Sequence, residues 1–333
     1  MEDVRGLVVG LGSIGRRHLT NLRALLPAAQ LTVWRQHTRP ENALGDCSPA
    51  DRVVFSLEDA LASRPTFAFL ASPAPLHVPT ALELARRGVH LFVEKPLSHS
   101  LEGVNELIAL CRNRVQAQVG YNFRFHRPLE LLRGALREGR IGRPVSLRAE
   151  VGQYLPDWRP GADYTQTATA QRRLGGGVLL ELSHELDYAR WLLGEVESVL
   201  AQAQRAGDLE IDVEDTADVL LRFAGGATAA IHLNMLERAP RRCCRITGTE
   251  GTLDWEAASG HVRLYAAGEG EWTDVHPPGP LDRNAMYLAE AADFLECIRE
   301  GRAPRVSLEE GRRTLAVALA AKQSSHTQRS VQP

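Results

Sequence analysis

Residues 8–18 read VVGLGSIGRRH, in which an apolar run is followed at once by a G-x-G-x-x-G spacing. The apolar run predicts a buried strand, and the residues after the glycines have the spacing of a helix. Glycines between a strand and a helix permit a tight turn, a close approach of the backbone to a pyrophosphate, and close helix packing. A glycine turn with a purely structural role is the alternative. We interpret the stretch as a dinucleotide-binding turn, and its predicted contacts are Gly10, Gly12, Ser13, Ile14 and Gly15.

The residues around this turn alternate between short apolar runs and helical patterns as far as Gly120. This order predicts a parallel sheet with helices on both faces, a doubly wound α/β domain over residues 1–120. After Tyr121 the pattern changes to long alternating strands with turn signals between them, which predicts an α/β domain with a large, mostly antiparallel open sheet over residues 121–333. The polar end, QSSHTQRSVQP, is expected to fray.

Composition narrows the class of partner. The 333 residues are 44% hydrophobic and carry a formal net charge of -2, without a clustered basic tract. This argues against nucleic acid or an anionic membrane as the main partner and favours a small molecule. The five cysteines form no C-x-x-C pair, and an odd number of cysteines suits a reducing compartment better than a disulfide framework. We therefore predict a cytoplasmic location, and we predict no metal site.

The end of the second predicted strand bears on the choice of cofactor. An NAD-binding turn is normally followed, about 20 residues on, by Asp or Glu for the ribose hydroxyls. Here residues 34–36 read WRQ. Arg35 would suit a 2′-phosphate, so we expect NADP in preference to NAD. A solvated arginine is the alternative.

Two further strand ends, in FLASPAPLH and FVEKP, carry prolines that stop the strand. In open parallel sheets the ligands lie outside the carboxyl ends of the strands, so these residues should line the cofactor crevice. The chain has only two lysines among 39 basic residues, Lys95 and Lys322, and a lysine retained beside a proline at a strand end favours a chemical role. The predicted contacts are Ser72, Pro73, His77, Glu94 and Lys95.

A second cluster follows the glycine run Gly175 to Gly177. Glu181, His184 and Asp187 are each three residues apart, which predicts one face of a helix. Apolar residues surround them, so we interpret the three as an acid/base array facing a cleft, with a solvated helical face as the alternative.

Two loops contain aromatic and polar residues suited to a polyhydroxylated or anionic ligand. The stretch GYNFRFHRP crosses the predicted domain boundary, and YLPDWRPGADY lies further on. Ordinary loop packing is the alternative for each residue. Asn122 is predicted to contact the cofactor, and the predicted substrate contacts are Arg124, Trp158, Arg159, Tyr164 and His184.

The motifs GLGSIGRRH, SPAPLH, VEKP, GYNFRF and GGGVLLELSHELDYARWLLG occur in this order across nearly the whole chain. Together they resemble the glucose–fructose oxidoreductase/inositol dehydrogenase/rhizopine-catabolism (Gfo/Idh/MocA) family. The resemblance implies a Rossmann domain, a second domain whose open sheet joins subunits into a homodimer or homotetramer, and NAD- or NADP-dependent chemistry on a sugar, nucleotide sugar or cyclitol. The lysine of the family's E-K-P motif falls on Lys95, its catalytic histidine on His184, and its glycine-led acidic position on Glu181. Many members have Asp at that acidic position and one more residue before the histidine.

We therefore expect an oxidoreductase in which His184 transfers the proton, Lys95 holds the reacting oxygen, and Asp187 or Glu181 orients the imidazole. One alternative is an NAD-dependent glycoside hydrolase that oxidises its substrate only transiently. Another is a non-catalytic sensor of sugar or dinucleotide on the same fold.

Overall fold

The computed structural model describes residues 4–36, 47–280 and 282–333. The chain divides into two compact units, an N-terminal unit of Met1–Asn122 with Asn284–Arg312 and a C-terminal unit of Phe123–Arg283 with Arg313–Pro333. The N-terminal unit thus includes a late stretch of the chain that was expected to belong to the second domain.

In chain order, the helices are α1 (Ser13–Leu25), α2 (Leu57–Ala62), α3 (His77–Ala85), α4 (Val104–Cys111), α5 (Arg127–Arg137), α6 (Val178–Glu181), α7 (His184–Leu193), α8 (Ala285–Glu300) and α9 (Leu308–Thr327). The first six strands are β1 (Arg5–Val9), β2 (Gln30–Trp34), β3 (Arg52–Val54), β4 (Phe67–Leu70), β5 (His90–Glu94) and β6 (Ala117–Gly120). The others are β7 (Pro144–Gly152), β8 (Val196–Gln204), β9 (Thr216–Phe223), β10 (Thr228–Asn234), β11 (Arg241–Gly248), β12 (Gly251–Glu256), β13 (His261–Ala266) and β14 (Trp272–His276).

The N-terminal unit is built on a parallel sheet in the order β3-β2-β1-β4-β5-β6. Its central strands are buried along almost their whole length, as expected for strands covered by helices on both faces. The rings of Phe69 and Phe92 stack at 4.4 Å between centroids, and Phe294 of α8 packs on both edge to face. The predicted doubly wound sheet is confirmed, and its apolar core explains why α8 belongs to this unit.

The C-terminal unit is built on an eight-stranded sheet in the order β14-β13-β12-β11-β7-β10-β9-β8. All neighbours are antiparallel except β7 and β10, so the predicted mostly antiparallel sheet is confirmed. Residues along β9 alternate between buried and exposed, which is the pattern of a sheet with one covered face.

The last residues of the chain are ordered, whereas the sequence predicted that they would fray. Helix α9 continues to Thr327, and Val331 then pairs with Val199 of β8 through two backbone hydrogen bonds of 2.8 and 2.9 Å. These bonds fix the polar end in place. Among the residues that the structure describes, no helix has the length and apolar character needed to cross a membrane.

Candidate functional site

The glycine turn lies at the carboxyl end of β1 in the N-terminal unit. Gly10 has a φ of +88°, and a Cβ atom there would lie 2.8 Å from the Ala71 carbonyl oxygen. A Cβ on Gly15 would collide with the Gly10 carbonyl oxygen. At Gly12, by contrast, no described atom lies within 4 Å of an added Cβ. Packing therefore requires two of the glycines, while the third leaves an open approach that fits a pyrophosphate.

The first turn of α1 follows directly on Gly12. Ser13 is exposed and Ile14 is half-buried, so the start of the helix is accessible. The N–H groups that point out of a helix start, together with the helix dipole, favour a bound phosphate. Geometry and electrostatics thus both fit a dinucleotide at this turn.

Arg35 follows β2 directly. Its backbone N–H donates to the Val54 carbonyl oxygen at 2.9 Å, and its side chain is half-buried. The neighbouring residues Trp34 and Gln36 bring no carboxylate to this strand end, and His37 lies outside the described residues. The position thus presents a guanidinium where NAD-binding turns present an acid.

His77 joins the loops that follow β4 and β5. One ring nitrogen lies 2.7 Å from the Ser72 carbonyl oxygen and the other 3.0 Å from that of Pro96. The ring is 1% exposed, and this burial lowers the pKa of His77 and keeps the imidazole neutral. The two other predicted cofactor contacts in this loop differ in burial. Ser72 is buried, and its hydroxyl has no hydrogen-bond partner in the described parts of the chain, whereas Pro73 is half-buried.

Glu94 and Lys95 end β5 with different environments. Glu94 is 6% exposed; one carboxylate oxygen lies 2.6 Å from Nε2 of His18, and the other accepts the backbone N–H of Lys95 at 3.0 Å. Lys95 itself is half-buried. Glu94 therefore fixes the backbone from which the Lys95 side chain extends.

Asn122 follows β6 by two residues. It is 2% exposed and hydrogen-bonds the Tyr287 side chain.

The acid/base array predicted on one helix is divided in the C-terminal unit. Glu181 is the last residue of α6 and His184 the first of α7, with Leu182 and Ser183 between them. The three residues are therefore not on one continuous helical face, and this part of the prediction was wrong. The spacing of three residues did not show the break because neither intervening residue is Gly or Pro.

Asp187 is part of a buried network within the C-terminal unit. Its carboxylate accepts two hydrogen bonds from the Arg124 guanidinium, at 2.8 and 2.9 Å, and one from the Thr314 hydroxyl at 2.9 Å. Arg190 donates to the same hydroxyl at 3.0 Å. Because Arg124 and Asp187 are 3% and 0% exposed, they neutralise each other inside the unit. This pairing differs from the predicted roles, in which Asp187 orients His184 and Arg124 grips the substrate.

His184 lies at the start of α7 and is half-buried. Its ring packs against the buried ring of Phe123, with 4.9 Å between the centroids. Gly177, in the glycine run that leads to this region, has a φ of +108°, and a Cβ there would collide with the Glu214 carboxylate. The glycine run is therefore required by packing, and it holds the segment that leads to the histidine.

The tryptophan–arginine loop is anchored to its own unit. Nε1 of Trp158 donates to the Gln153 carbonyl oxygen at 3.0 Å, and the Tyr164 hydroxyl accepts the backbone N–H of Glu210 at 3.1 Å. Both aromatic side chains are half-buried, and Arg159 between them is exposed. Their polar atoms fix the loop, which leaves the ring faces as the surfaces that a ligand could contact.

A cavity of about 750 Å³ lies elsewhere in the N-terminal unit. Its lining includes Arg5, Phe67 and His90, the first residues of β1, β4 and β5. It therefore lies at the amino edge of the sheet, whereas the glycine turn and Lys95 lie at the carboxyl edge. We do not assign the cofactor to this cavity, because ligands of open parallel sheets bind at the carboxyl edge.

Sequence reasoning overlooked His18, Phe123 and Thr314. The sequence offered a signal for His18, because this residue ends the stretch VVGLGSIGRRH that contains the glycine turn. Phe123 lies in the quoted motif GYNFRF, but its packing against His184 is not visible there. Thr314 gave no local signal, since its partner Asp187 is 127 residues away in the chain.

Comparisons with known proteins agree with this geometry. Residues 4–122 match the model of an oxidoreductase family with an NAD-binding Rossmann fold, and residues 129–254 match the Gfo/Idh/MocA C-terminal domain. Myo-inositol 2-dehydrogenase of Thermotoga maritima is 30% identical over 97% of each chain. D-apiose dehydrogenase of Paraburkholderia graminis is 26% identical over 100% of this chain and 90% of its own.

Solved structures show the same fold. Levoglucosan dehydrogenase, in complex with NADH and levoglucosan, superposes with a TM-score of 0.87 at 21% identity, covering 99% of each chain. The WlbA dehydrogenase from Bordetella pertussis, in complex with NADH and UDP-GlcNAcA, gives a TM-score of 0.83 at 26% identity, covering 100% of this chain and 98% of the other. The matching domains and the full-length relative together show that this chain belongs to the Gfo/Idh/MocA family of NAD-binding oxidoreductases.

Proposed function

We propose that this oxidoreductase transfers a hydride between a nicotinamide dinucleotide and a ring hydroxyl or ketone of a sugar, nucleotide sugar or cyclitol. The observation that carries the proposal is the glycine turn, where Gly12 leaves an open approach at the carboxyl edge of a parallel sheet. By their names, the relatives act on myo-inositol, D-apiose and levoglucosan, which are all polyhydroxylated rings or sugars.

Lys95 is proposed to hold the reacting oxygen. When bound, the nicotinamide supplies the hydride chemistry, and the protein supplies orientation and charge stabilisation. The backbone of Lys95 is fixed by Glu94 at 3.0 Å, so the ammonium extends from a rigid strand end. A positioned ammonium stabilises negative charge that develops on an alkoxide.

His184 is proposed to transfer the proton of the reacting hydroxyl. Imidazole is the side chain that ordinarily changes charge near neutral pH, and this ring is held against Phe123 at 4.9 Å. Glu181 is half-buried at the end of α6, three residues before the histidine, and we propose that it assists either the histidine or the substrate. The ring faces of Trp158 and Tyr164, with exposed Arg159, are proposed to contact the substrate.

The proposal is tested by incubating the protein with NAD⁺ or NADP⁺ and a panel of cyclitols, sugars and nucleotide sugars. The expected result is an increase in the near-ultraviolet absorbance of the reduced nicotinamide with at least one compound of the panel. If the protein binds neither dinucleotide and reduces neither with any compound, the proposed function is wrong.

We propose that Arg35 makes NADP the preferred cofactor. Replacing Arg35 by aspartate should weaken NADP⁺ binding by about 1 to 3 kcal/mol, roughly 5- to 150-fold, because the guanidinium that faces the 2′-phosphate becomes a carboxylate that repels it. NAD⁺ affinity should stay the same or increase, since aspartate can accept the ribose hydroxyls. Fluorescence titration of both dinucleotides measures the change. Equal affinities of the wild-type protein for NAD⁺ and NADP⁺ would contradict this assignment.

We also propose that the C-terminal sheet joins subunits into a homodimer or homotetramer. Leu200 of β8 and Leu220 of β9 are directly paired across the sheet and are 45% and 54% exposed. Paired leucines on an uncovered sheet face favour burial against a second copy.

A further inference from the structure

Three ionisable side chains lie together in the interior of the N-terminal unit, next to the carboxyl end of β5. They are His18 of α1, Glu94 of β5 and Glu290 of α8, which are 0%, 6% and 0% exposed. One nitrogen or oxygen atom of each lies within 4.8 Å of the others. The rings of Phe69, Phe92 and Tyr287 surround the His18 imidazole at 5.1 to 6.4 Å, so the group is in an apolar environment.

Glu94 is the member that carries the negative charge. One of its oxygens faces Nε2 of His18 and the other accepts the backbone N–H of Lys95. Nδ1 of His18 is buried and has no partner in the described part of the chain. If Nε2 carries the proton, it donates to Glu94 and Nδ1 is unprotonated. This tautomer leaves no buried N–H without an acceptor. Both Glu94 oxygens then act as acceptors, as an ionised carboxylate requires.

Glu290 is the member that carries a proton. Both of its carboxyl oxygens are buried and lack a hydrogen-bond partner among the described residues. Burial, and then the neighbouring charge of Glu94, raise the pKa of Glu290 well above its ordinary value. The cluster thus holds one negative charge, on the residue that ends β5 and fixes the Lys95 backbone.

We propose that the single buried charge of Glu94 makes the enzyme bind the oxidised dinucleotide more tightly than it would with a neutral residue there, with His18 as the positioning residue. The inference rests on the proposed function, because it requires the nicotinamide to bind at the carboxyl edge of this sheet. The oxidised ring is cationic and the reduced ring is neutral, so a nearby anion in an apolar setting attracts only the oxidised form. The effect favours binding of the dinucleotide in the state that accepts a hydride.

Glu94→Gln removes the charge while keeping the shape and one acceptor. We expect its Kd for NAD⁺ to increase about tenfold and its Kd for NADH to change little. A general loosening of the Lys95 backbone would weaken both forms alike, so the ratio of the two constants separates charge from structure. Glu290→Gln replaces a residue that is already neutral and should leave the ratio unchanged. Glu102→Gln, on an exposed residue of the same unit, is the matched control.

If the wild-type protein binds no nicotinamide dinucleotide of either the NAD or the NADP type, the proposed function fails; if it binds the oxidised and the reduced forms and Glu94→Gln leaves the ratio of their constants unchanged, this inference alone fails. If Glu290→Gln changes the ratio of the two dissociation constants as strongly as Glu94→Gln does, the charge is not on Glu94 alone and the inference is wrong. A divalent cation retained by the wild-type protein and lost in Glu290→Gln, by elemental analysis, would also overturn the inference.

If Glu94→Gln does not fold, the wild-type protein provides the test. Benzamide adenine dinucleotide carries a neutral ring of the same shape as nicotinamide. We expect it to bind about tenfold more weakly than NAD⁺. Equal affinities would overturn the inference.

Discussion

Replacing His184 by asparagine is expected to lower kcat by about 10²- to 10⁴-fold, the usual loss when a general acid/base is removed. Asparagine keeps a polar side chain of similar size at the half-buried start of α7 but cannot exchange a proton near neutral pH. Folding should be preserved. Dinucleotide affinity should also be preserved, because the glycine turn belongs to the other unit.

The measurement is kcat and KM as a function of pH for the wild-type and variant proteins. The variant should lose the limb of the kcat profile that belongs to the catalytic group, which a purely structural residue would not affect. His326→Asn, the same exchange on an exposed residue of α9, is the matched control and should behave as the wild type. If His184→Asn retains most of its activity, Lys95 or a water molecule transfers the proton instead.

Replacing Lys95 by arginine should lower kcat by at least about 10²-fold although the charge is conserved. An ammonium is compact and can direct one hydrogen bond at a single oxygen, whereas a guanidinium is bulkier and presents a planar fork suited to carboxylates. The backbone should stay in place, since Glu94 accepts the main-chain N–H of residue 95 and this bond does not depend on the side chain. Folding and dinucleotide affinity should therefore be close to those of the wild type.

The chain's other lysine provides the control. Nζ of Lys322 lies 3.2 Å from a Glu214 carboxylate oxygen, and its side chain is 33% exposed. Arginine can form the same ion pair, so Lys322→Arg should leave kcat unchanged. An active Lys95→Arg together with an inactive Lys322→Arg would contradict the role given to Lys95.

The N-terminal unit was largely predictable from sequence because its signals are local. The glycine turn, the apolar strand runs and the cap of α2, in which Ser56 accepts the Asp59 N–H at 3.0 Å, each depend on residues that are close in the chain. The same applies to the turn between β11 and β12, since alternating apolar runs on either side of Gly-containing residues predict a hairpin.

The remaining features depend on pairings that the sequence does not display. Arg124 and Asp187 are 63 residues apart, and the sequence suggests a separate role for each, Arg124 as a substrate contact and Asp187 as the group that orients His184, until the bidentate pair is seen. Glu290 lies in α8, and nothing in the local sequence shows that this helix belongs to the N-terminal unit. Its burial near Glu94 could therefore not be predicted. Protein interiors are mostly apolar, so a charged residue is not expected there from sequence. Only the tertiary structure shows which group it is paired with.

The central claim is net hydride transfer to or from a sugar-like ring, and isotope tracing tests it most directly. A substrate from the panel is prepared with deuterium on the carbon that bears the reacting hydroxyl, and the dinucleotide is analysed by mass spectrometry after turnover. The predicted result is deuterium in the reduced dinucleotide and an equal amount of ketone product. Deuterium that stays in the sugar while a glycosidic bond is cleaved, with no net change in the dinucleotide, would contradict the claim and indicate a hydrolase that oxidises its substrate only transiently.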